Sequence, residues 1–403
     1  MNALLSLHPR FWLLLALCAA GFALLYVGVR NAGRGASRRA LRQRIEALGA
    51  PASKSNEVGE IGKAGESEQR DKDGEAASEA LEEGMSQALQ ALRRVPRPHT
   101  AAAAPVPWFL FFGDTAANLP GLLAAAQGER APTAMPASGS EASGATWWHW
   151  WLTGAAVAIE VHPDAVGDAA GTPPLRALWL RSLLVLAQRR ERLPLNGLVA
   201  CVAATDLLQA DTTTELQPLA ARMRRVLDEA SDTLRLQLPT YLVVTGLEQL
   251  PGYPTLRGAL APEVLAQVLG HRLTDPSPFI ATPAGERLDA VFDPIAQRLH
   301  SLRMALLREQ VGPAGRLAVH EFVETMRALQ PGLRVFAQVL FENHGKGSRA
   351  PRWRGLYFTA AASQAAGSAF VGDLFARFLP ADQPLVRPGR PSASPSNTSM
   401  GAL

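Results

Sequence analysis

The chain has 403 residues, long enough for two or three domains, and 47% of them are hydrophobic, which is sufficient for a sizeable core. A formal net charge of +4 is small for this length and argues against a protein drawn to nucleic acid by bulk charge. Cys18 and Cys201, the two cysteines, have no partner at metal spacing; they exclude a disulfide framework and fit a reducing compartment.

Phe11–Val29 is an uncharged apolar run of 19 residues. At about 1.5 Å per residue it would span roughly 28 Å as a helix, close to the thickness of a bilayer core. It exceeds a signal-peptide apolar region of roughly 7–15 residues, and no A-x-A site follows, so it reads as an uncleaved anchor. Arg30, Arg34, Arg38, Arg39, Arg42 and Arg44 follow it without an acid among them, and only Arg10 precedes it. The positive-inside rule then predicts a single-pass protein of a bacterial inner membrane with the bulk of the chain in the cytoplasm.

Residues 45–80 are poor in apolar side chains and read as a flexible linker. A short helix is predicted over roughly Glu79–Arg94, with arginines in its last turn. From Trp108 the pattern becomes α/β. Trp108–Phe112, Ala156–Glu160, Gly197–Ala204 and Tyr241–Thr245 read as buried strands. Pro174–Arg192 and Leu219–Leu236 carry apolar stripes at helical spacing, so a mostly parallel, helix-covered sheet is expected. Leu288, Phe292, Ile295, Leu299, Leu302 and Leu306 predict a further helix with a narrow seam. Helices at about 315–329 and 333–343 follow, then a strand in "RWRGLYFTAAASQ" and a Pro/Ser-rich tail. The domain reading is an anchor at 1–30, a linker at 31–80, an α/β domain at 81–283, a helical extension with a late strand at 284–380, and a tail at 381–403.

The stretch "WFLFFGDTAANLPGLLAAA" places a strand, a small-residue turn and a helix in the order of a phosphate-binding P-loop. An active loop reads G-x-x-x-x-G-K-[ST]: the second glycine admits phosphate, the lysine neutralises it and the hydroxyl holds magnesium. Counted from Gly113, those places hold Asn118, Leu119 and Pro120. Pro120 also lacks an N–H. No lysine lies between Lys72 and Lys346 to compensate. "HEFVE" at His320–Glu324 lacks the second histidine of a zinc motif and reads as an acidic helix face. "GSEASG" at 139–144 has no strand before it, so it is no nucleophile elbow. Trp147, Trp148, Trp150 and Trp151 read as core aromatics rather than a base-stacking platform.

Five segments in order resemble the IcmF-type (TssM-type) family of inner-membrane type VI secretion components. They are Pro107-Trp108-Phe109 before the loop, "WWLTGAAVAIE", "LPLNGLVACVAATDLL", "LPTYLVVTGLEQLPGY" and "RWRGLYFTAAASQ". The resemblance implies a P-loop-NTPase-like sheet followed by a mainly helical subdomain. It also implies docking to a DotU-type inner-membrane protein and to the secretion baseplate; self-association is compatible with it. Where the family has a "DTAG"-like strand end, this chain has Glu160, Val161, His162 and Pro163; where it has "TKxD", this chain has Thr245, Gly246, Leu247 and Glu248. Glu160 and Glu248 are therefore expected to be solvated strand-end residues rather than ligands of magnesium and base. The expectation is a non-catalytic scaffold without catalytic residue, cofactor, metal or nucleic acid. The competing reading is a membrane-anchored NTPase with an unorthodox nucleotide site. The family's two-helix hairpin and periplasmic part are not visible, which puts a bridge across the periplasm in doubt.

Overall fold

A computed structural model describes residues 18, 20–22, 79–92, 106–127, 147–167, 172–190, 193–208, 212–273, 282–309, 312–342, 351–362 and 367–388. The chain divides into two units, Met1–Glu57 and Val58–Leu403. In the first, Cys18 and residues 20–22 are helical and exposed. The rest of the Phe11–Val29 run lies outside the described residues. Among the described residues no helix is long and apolar enough to cross a membrane. The linker at 31–80 lies outside them except for its last two residues, and so does the tail from 389 on.

The second unit is built on a seven-stranded mixed sheet. Its strands are β1 (Trp108–Phe112), β2 (Trp148–Leu152), β3 (Val157–Val161), β4 (Gly197–Ala203), β6 (Pro239–Thr245), β7 (Leu269–Arg272) and β8 (Arg352–Phe358); β5 (Leu236–Gln237) pairs apart from it with β9 (Arg387–Pro388). The order across the sheet is β2-β3-β1-β4-β6-β8-β7. The five central strands run parallel, and β2 and β7 close the edges antiparallel. Every residue of β1, β3, β4 and β6 is buried, as expected where helices cover both faces of parallel strands. β2 alternates instead, with Trp148, Trp150 and Leu152 buried and His149 and Trp151 half-buried.

The described helices of ten or more residues are α1 (residues 79–92), α3 (Pro173–Arg189), α5 (Thr212–Leu234), α8 (Ala284–Glu309) and α9 (Pro313–Phe341). Shorter ones are α2 (Leu119–Gln127), α4 (Ala204–Leu208), α6 (Tyr253–Gly258), α7 (Pro262–Ala266) and α10 (Leu379–Ala381). Alternation along the strands sends Phe109 and Phe111 into a core with Leu119, Leu122 and Leu123 of α2, Val199, Tyr241, Tyr357 and Phe375. Trp148 meets Trp150 and Trp179 of α3 edge to face, with centroids 6.2 and 6.3 Å apart. Gly84 of α1 lies against the Trp150 ring so closely that a Cβ there would come within 2.5 Å of it.

Two sequence expectations change. A single helix, α9, replaces the two expected at 315–329 and 333–343, and Pro331 lies inside it. An interior proline costs about 3 kcal/mol. The buried stripe Met326, Leu329, Leu333, Phe336, Ala337 and Leu340 runs through it without a break, so packing outweighs that cost. Gly332 is also held against α4, where a Cβ would stand 2.3 Å from the Leu207 carbonyl oxygen. β7 was not foreseen at all: it is short, and only Gly270 of its four residues is buried.

Candidate functional site

The carboxyl ends of β1, β3, β4, β6 and β8 share one edge of the sheet. β1 has β3 on one side and β4 on the other. Its carboxyl end is therefore a place where the connections part, and such crevices hold ligands in open α/β sheets. Gly113, Glu160, Pro163, Asp206, Gly246 and Glu248 all fall in strand ends, turns or short helices along this edge.

The loop after β1 keeps its glycine for a reason unrelated to phosphate. A Cβ on Gly113 would come within 2.7 Å of the Cys201 carbonyl oxygen on β4. The loop then folds on its own side chains. Asp114 caps the short turn Thr115–Ala117, its Oδ1 accepting from the Ala117 N–H at 3.1 Å. The Asn118 N–H donates to the Thr115 carbonyl at 3.3 Å. Asn118 itself is left-handed (φ 44°), a conformation asparagine tolerates, and its Oδ1 accepts from the Gly121 N–H at 3.2 Å. The backbone donors of Ala117, Asn118 and Gly121, which face ligand in an active P-loop, are thus bound within the loop. Leu119, in the lysine position, is 3% exposed and part of the core, while Pro120 is exposed at the start of α2.

Glu160 and Glu248 are not the solvated residues expected. Glu160 is 7% exposed, and its Oε2 accepts from Trp151 Nε1–H at 2.7 Å. Burial pushes its carboxyl above the usual carboxylate range, against the effect of the indole bond. His149, opposite Glu160 in the register, is pulled below the ordinary imidazole range by burial and by His162. Pro163 opens the short turn 163–165, whose cap His162 accepts from the Asp164 N–H at 3.3 Å. Gly246 occupies the left-handed region (φ 79°), a conformational reason for glycine there. Glu248 accepts from the Ala361 N–H at 3.0 Å, tying this loop to the one after β8, and burial raises its carboxyl too. Each carboxylate thus accepts from a partly buried donor of the fold, the indole of Trp151 for Glu160 and the Ala361 N–H for Glu248.

The structure adds residues that the motif count missed. Asp206, in the first turn of α4, lies close enough to Asp114 for the two carboxyl groups to interact, and burial together with the Asp114 charge pushes its carboxyl up to about 6. Asp114 is also raised, chiefly by burial, while Arg222 of α5 and the Ala117 bond oppose the rise. Arg222 donates from Nε to the Val166 carbonyl at 2.5 Å, and Arg225 from Nη2 to Ala165 at 3.4 Å. The signal for the pair lay in the aspartates directly following Gly113 and within "ATDLL". Beside the loop, then, are two carboxyl groups and a leucine, where an active site presents lysine and open N–H groups. Among the described residues no group of three His, Cys, Asp or Glu is placed to hold a metal ion.

The profile of the IcmF-related N-terminal domain matches residues 175–402. The type VI secretion system component TssM1 of Pseudomonas aeruginosa is 27% identical over 214 residues, which is 52% of this chain. The match covers 19% of that relative, so the chain corresponds to about a fifth of its length. No solved structure matches. The matched profile runs from α3 through β4, the unit with Asp206, α5, β6 and β8 to the end of the sheet, and over more than half of its length this chain belongs to the IcmF-related N-terminal domain family.

Proposed function

We propose that the chain is a non-catalytic scaffold subunit of a type VI secretion membrane complex, built on a P-loop-NTPase-like frame whose nucleotide site is closed. The observation that carries this reading is the loop 113–121. Its Ala117 and Gly121 N–H groups bind the Asp114 and Asn118 side chains, and Leu119 points into the core. The strand order, with β1 central between β3 and β4 and its loop leading into α2, supports the NTPase-like frame. Family membership and the name of the Pseudomonas relative support the secretion role.

In this reading Phe11–Val29 anchors the chain in the inner membrane, and the α/β unit offers a rigid body to a DotU-type partner and to baseplate proteins. A scaffold needs the sheet, the turn and the helix for packing, and needs no phosphate contacts. The rival, an NTPase with an unorthodox site, requires Asp114 to release Ala117 and the Asp114–Asp206 pair to tolerate a triphosphate. The direct test is affinity isolation of the tagged full chain from membranes of its own cells. Recovery of a DotU-type protein at comparable molar amount is expected. Isolation of the chain alone, or only with proteins unrelated to secretion, would overturn the scaffold assignment.

A further inference from the structure

α8 carries a second stripe, opposite the one it buries. Leu288, Ile295, Leu299 and Leu306 lie in the core. Glu286, Ala290, Asp293, Ser301, Met304 and Arg308 are exposed, with Gln297, also exposed, at their midpoint. At about 3.6 residues per turn these positions fall within one sector of roughly 80°. The charges on the stripe are divided. Glu286 stands in the first turn and Asp293 in the first half, while Arg308 stands in the last turn. Their neighbours Asp289 and Arg303 pair with Arg334 and Glu324 of α9. Among the described residues Glu286, Asp293 and Arg308 have no such partner. Met304, in the second half of the stripe, is 45% exposed.

The stripe is antisymmetric about Gln297. Glu286 and Arg308 stand eleven residues either side of it, Ala290 and Met304 seven, and Asp293 and Ser301 four. These intervals are close to three, two and one helical turns, so all of them keep to one face. Laid antiparallel on a copy of itself, with both Gln297 side chains at the two-fold axis, α8 sets Glu286 against the partner's Arg308. It sets Met304 over the partner's Ala290, a small residue that admits it, and Asp293 against the partner's Ser301. A parallel arrangement would oppose acid to acid and base to base. The helix dipole alone favours an acid in the first turn and a base in the last. It gives no reason for Asp293 in mid-helix, nor for a small and a large apolar residue at matching distances from the centre.

We propose that the outer stripe of α8 is a docking surface for a second copy of this chain, joined antiparallel about Gln297. The contact is isologous, so each pairing occurs twice. The stripe is about 33 Å long at 1.5 Å per residue and one helix wide. That is smaller than the roughly 1,200 Å² of a standard interface, so the association belongs to the weak class. Met304 on Ala290 supplies the apolar contact, and the exposed ion pairs set register and direction more than affinity. The contact needs neither a nucleotide nor another secretion protein.

Cross-linking of the full chain in its own cells tests this directly. A Cys18→Ser background leaves Cys201, which is buried, as the other cysteine. In it, Gln297→Cys should give a dimer with a short bis-maleimide, and Ala328→Cys, exposed on α9, should not. Glu286→Cys and Arg308→Cys chains carrying different tags should link to each other and neither to itself, as antiparallel pairing requires. Charge reversal is the second arm, read in the Gln297→Cys chain. With two symmetry-related pairs at stake, Glu286→Arg or Arg308→Glu alone should lower the dimer yield about five-fold, and the two together should restore it. Within one chain these residues lie about 33 Å apart, beyond the roughly 8–10 Å screening length, and the double reversal opposes the helix dipole at both ends. A role confined to one chain therefore predicts a further loss in the double variant. No Gln297→Cys dimer, self-linking of the Glu286→Cys chain, or a double reversal no better than the single ones would overturn the proposal.

Discussion

Restoring the missing lysine should damage the fold rather than revive a nucleotide site. Leu119 is 3% exposed and packs in the core with Phe109, Phe111, Leu122 and Leu123. Burying a leucine side chain is worth about 1.5–3 kcal/mol, and removing one from a core costs about 2–5 kcal/mol once the cavity is included. Leu119→Lys gives up much of that contact and must either desolvate an ammonium group or drag its stem out of the core. A loss of about 3–4 kcal/mol is expected, against under about 1.5 kcal/mol for the volume-conserving Leu119→Met. Urea unfolding of both variants and the parent measures the difference, with ATP and GTP turnover assayed on the same preparations. The variant should show no turnover, because Pro120, Pro163 and Gly246 still stand where the motifs differ. A Leu119→Lys protein as stable as the parent would refute the packing argument, and magnesium-dependent turnover would refute the closed-site argument as well.

Three further outcomes follow from the same geometry. Asp382 is 2% exposed; it accepts from Tyr241 at 2.9 Å and from Arg354 at 2.9 and 3.0 Å, so Asp382→Ala should cost about 3–5 kcal/mol in denaturant unfolding. Asp206 has its folded-state pKa raised to about 6, so the folded chain holds this proton more tightly than the unfolded one. The resulting stability is complete below the ordinary aspartate range and fades as pH rises through about 6; Asp206→Asn should remove roughly 1 kcal/mol of that slope between pH 4 and 6.5 in a pH series of melts. Gly113→Ala should destabilise by at least about 1 kcal/mol in the same unfolding assay, since its Cβ would press on the backbone of β4, and an unchanged midpoint would show that the contact relaxes freely.

The central strands were legible because parallel strands buried on both faces are written as unbroken apolar runs, and Trp108–Phe112 was found with both ends in place. Asn196 and Gly197 of "PLNG" show what a motif can hide. Asn196 Oδ1 accepts from the Trp108 N–H at 2.9 Å, and a Cβ on Gly197 would press on the Phe109 ring at 2.9 Å. Those residues align two neighbouring strands, a role that no local pattern displays. α9 was divided at Pro331 because propensity is local, whereas the packing of Gly332 on Leu207 joins residues far apart in the chain. The loss of the lysine and hydroxyl was plain from Leu119 and Pro120. That Asp114 and Asn118 had taken over the loop's own donors was not, because it depends on a turn geometry and on the left-handed conformation of Asn118. The pairing of Asp114 with Asp206 depends on the adjacency of β1 and β4, which only the sheet order supplies.

Equilibrium binding of ATP and GTP to the full chain with magnesium, followed calorimetrically, bears most directly on the proposal that the nucleotide site is closed. No saturable binding is expected up to about 1 mM nucleotide, a ceiling of roughly 4 kcal/mol on any interaction. Saturable, magnesium-dependent binding with a Kd of about 10 μM or lower would contradict it.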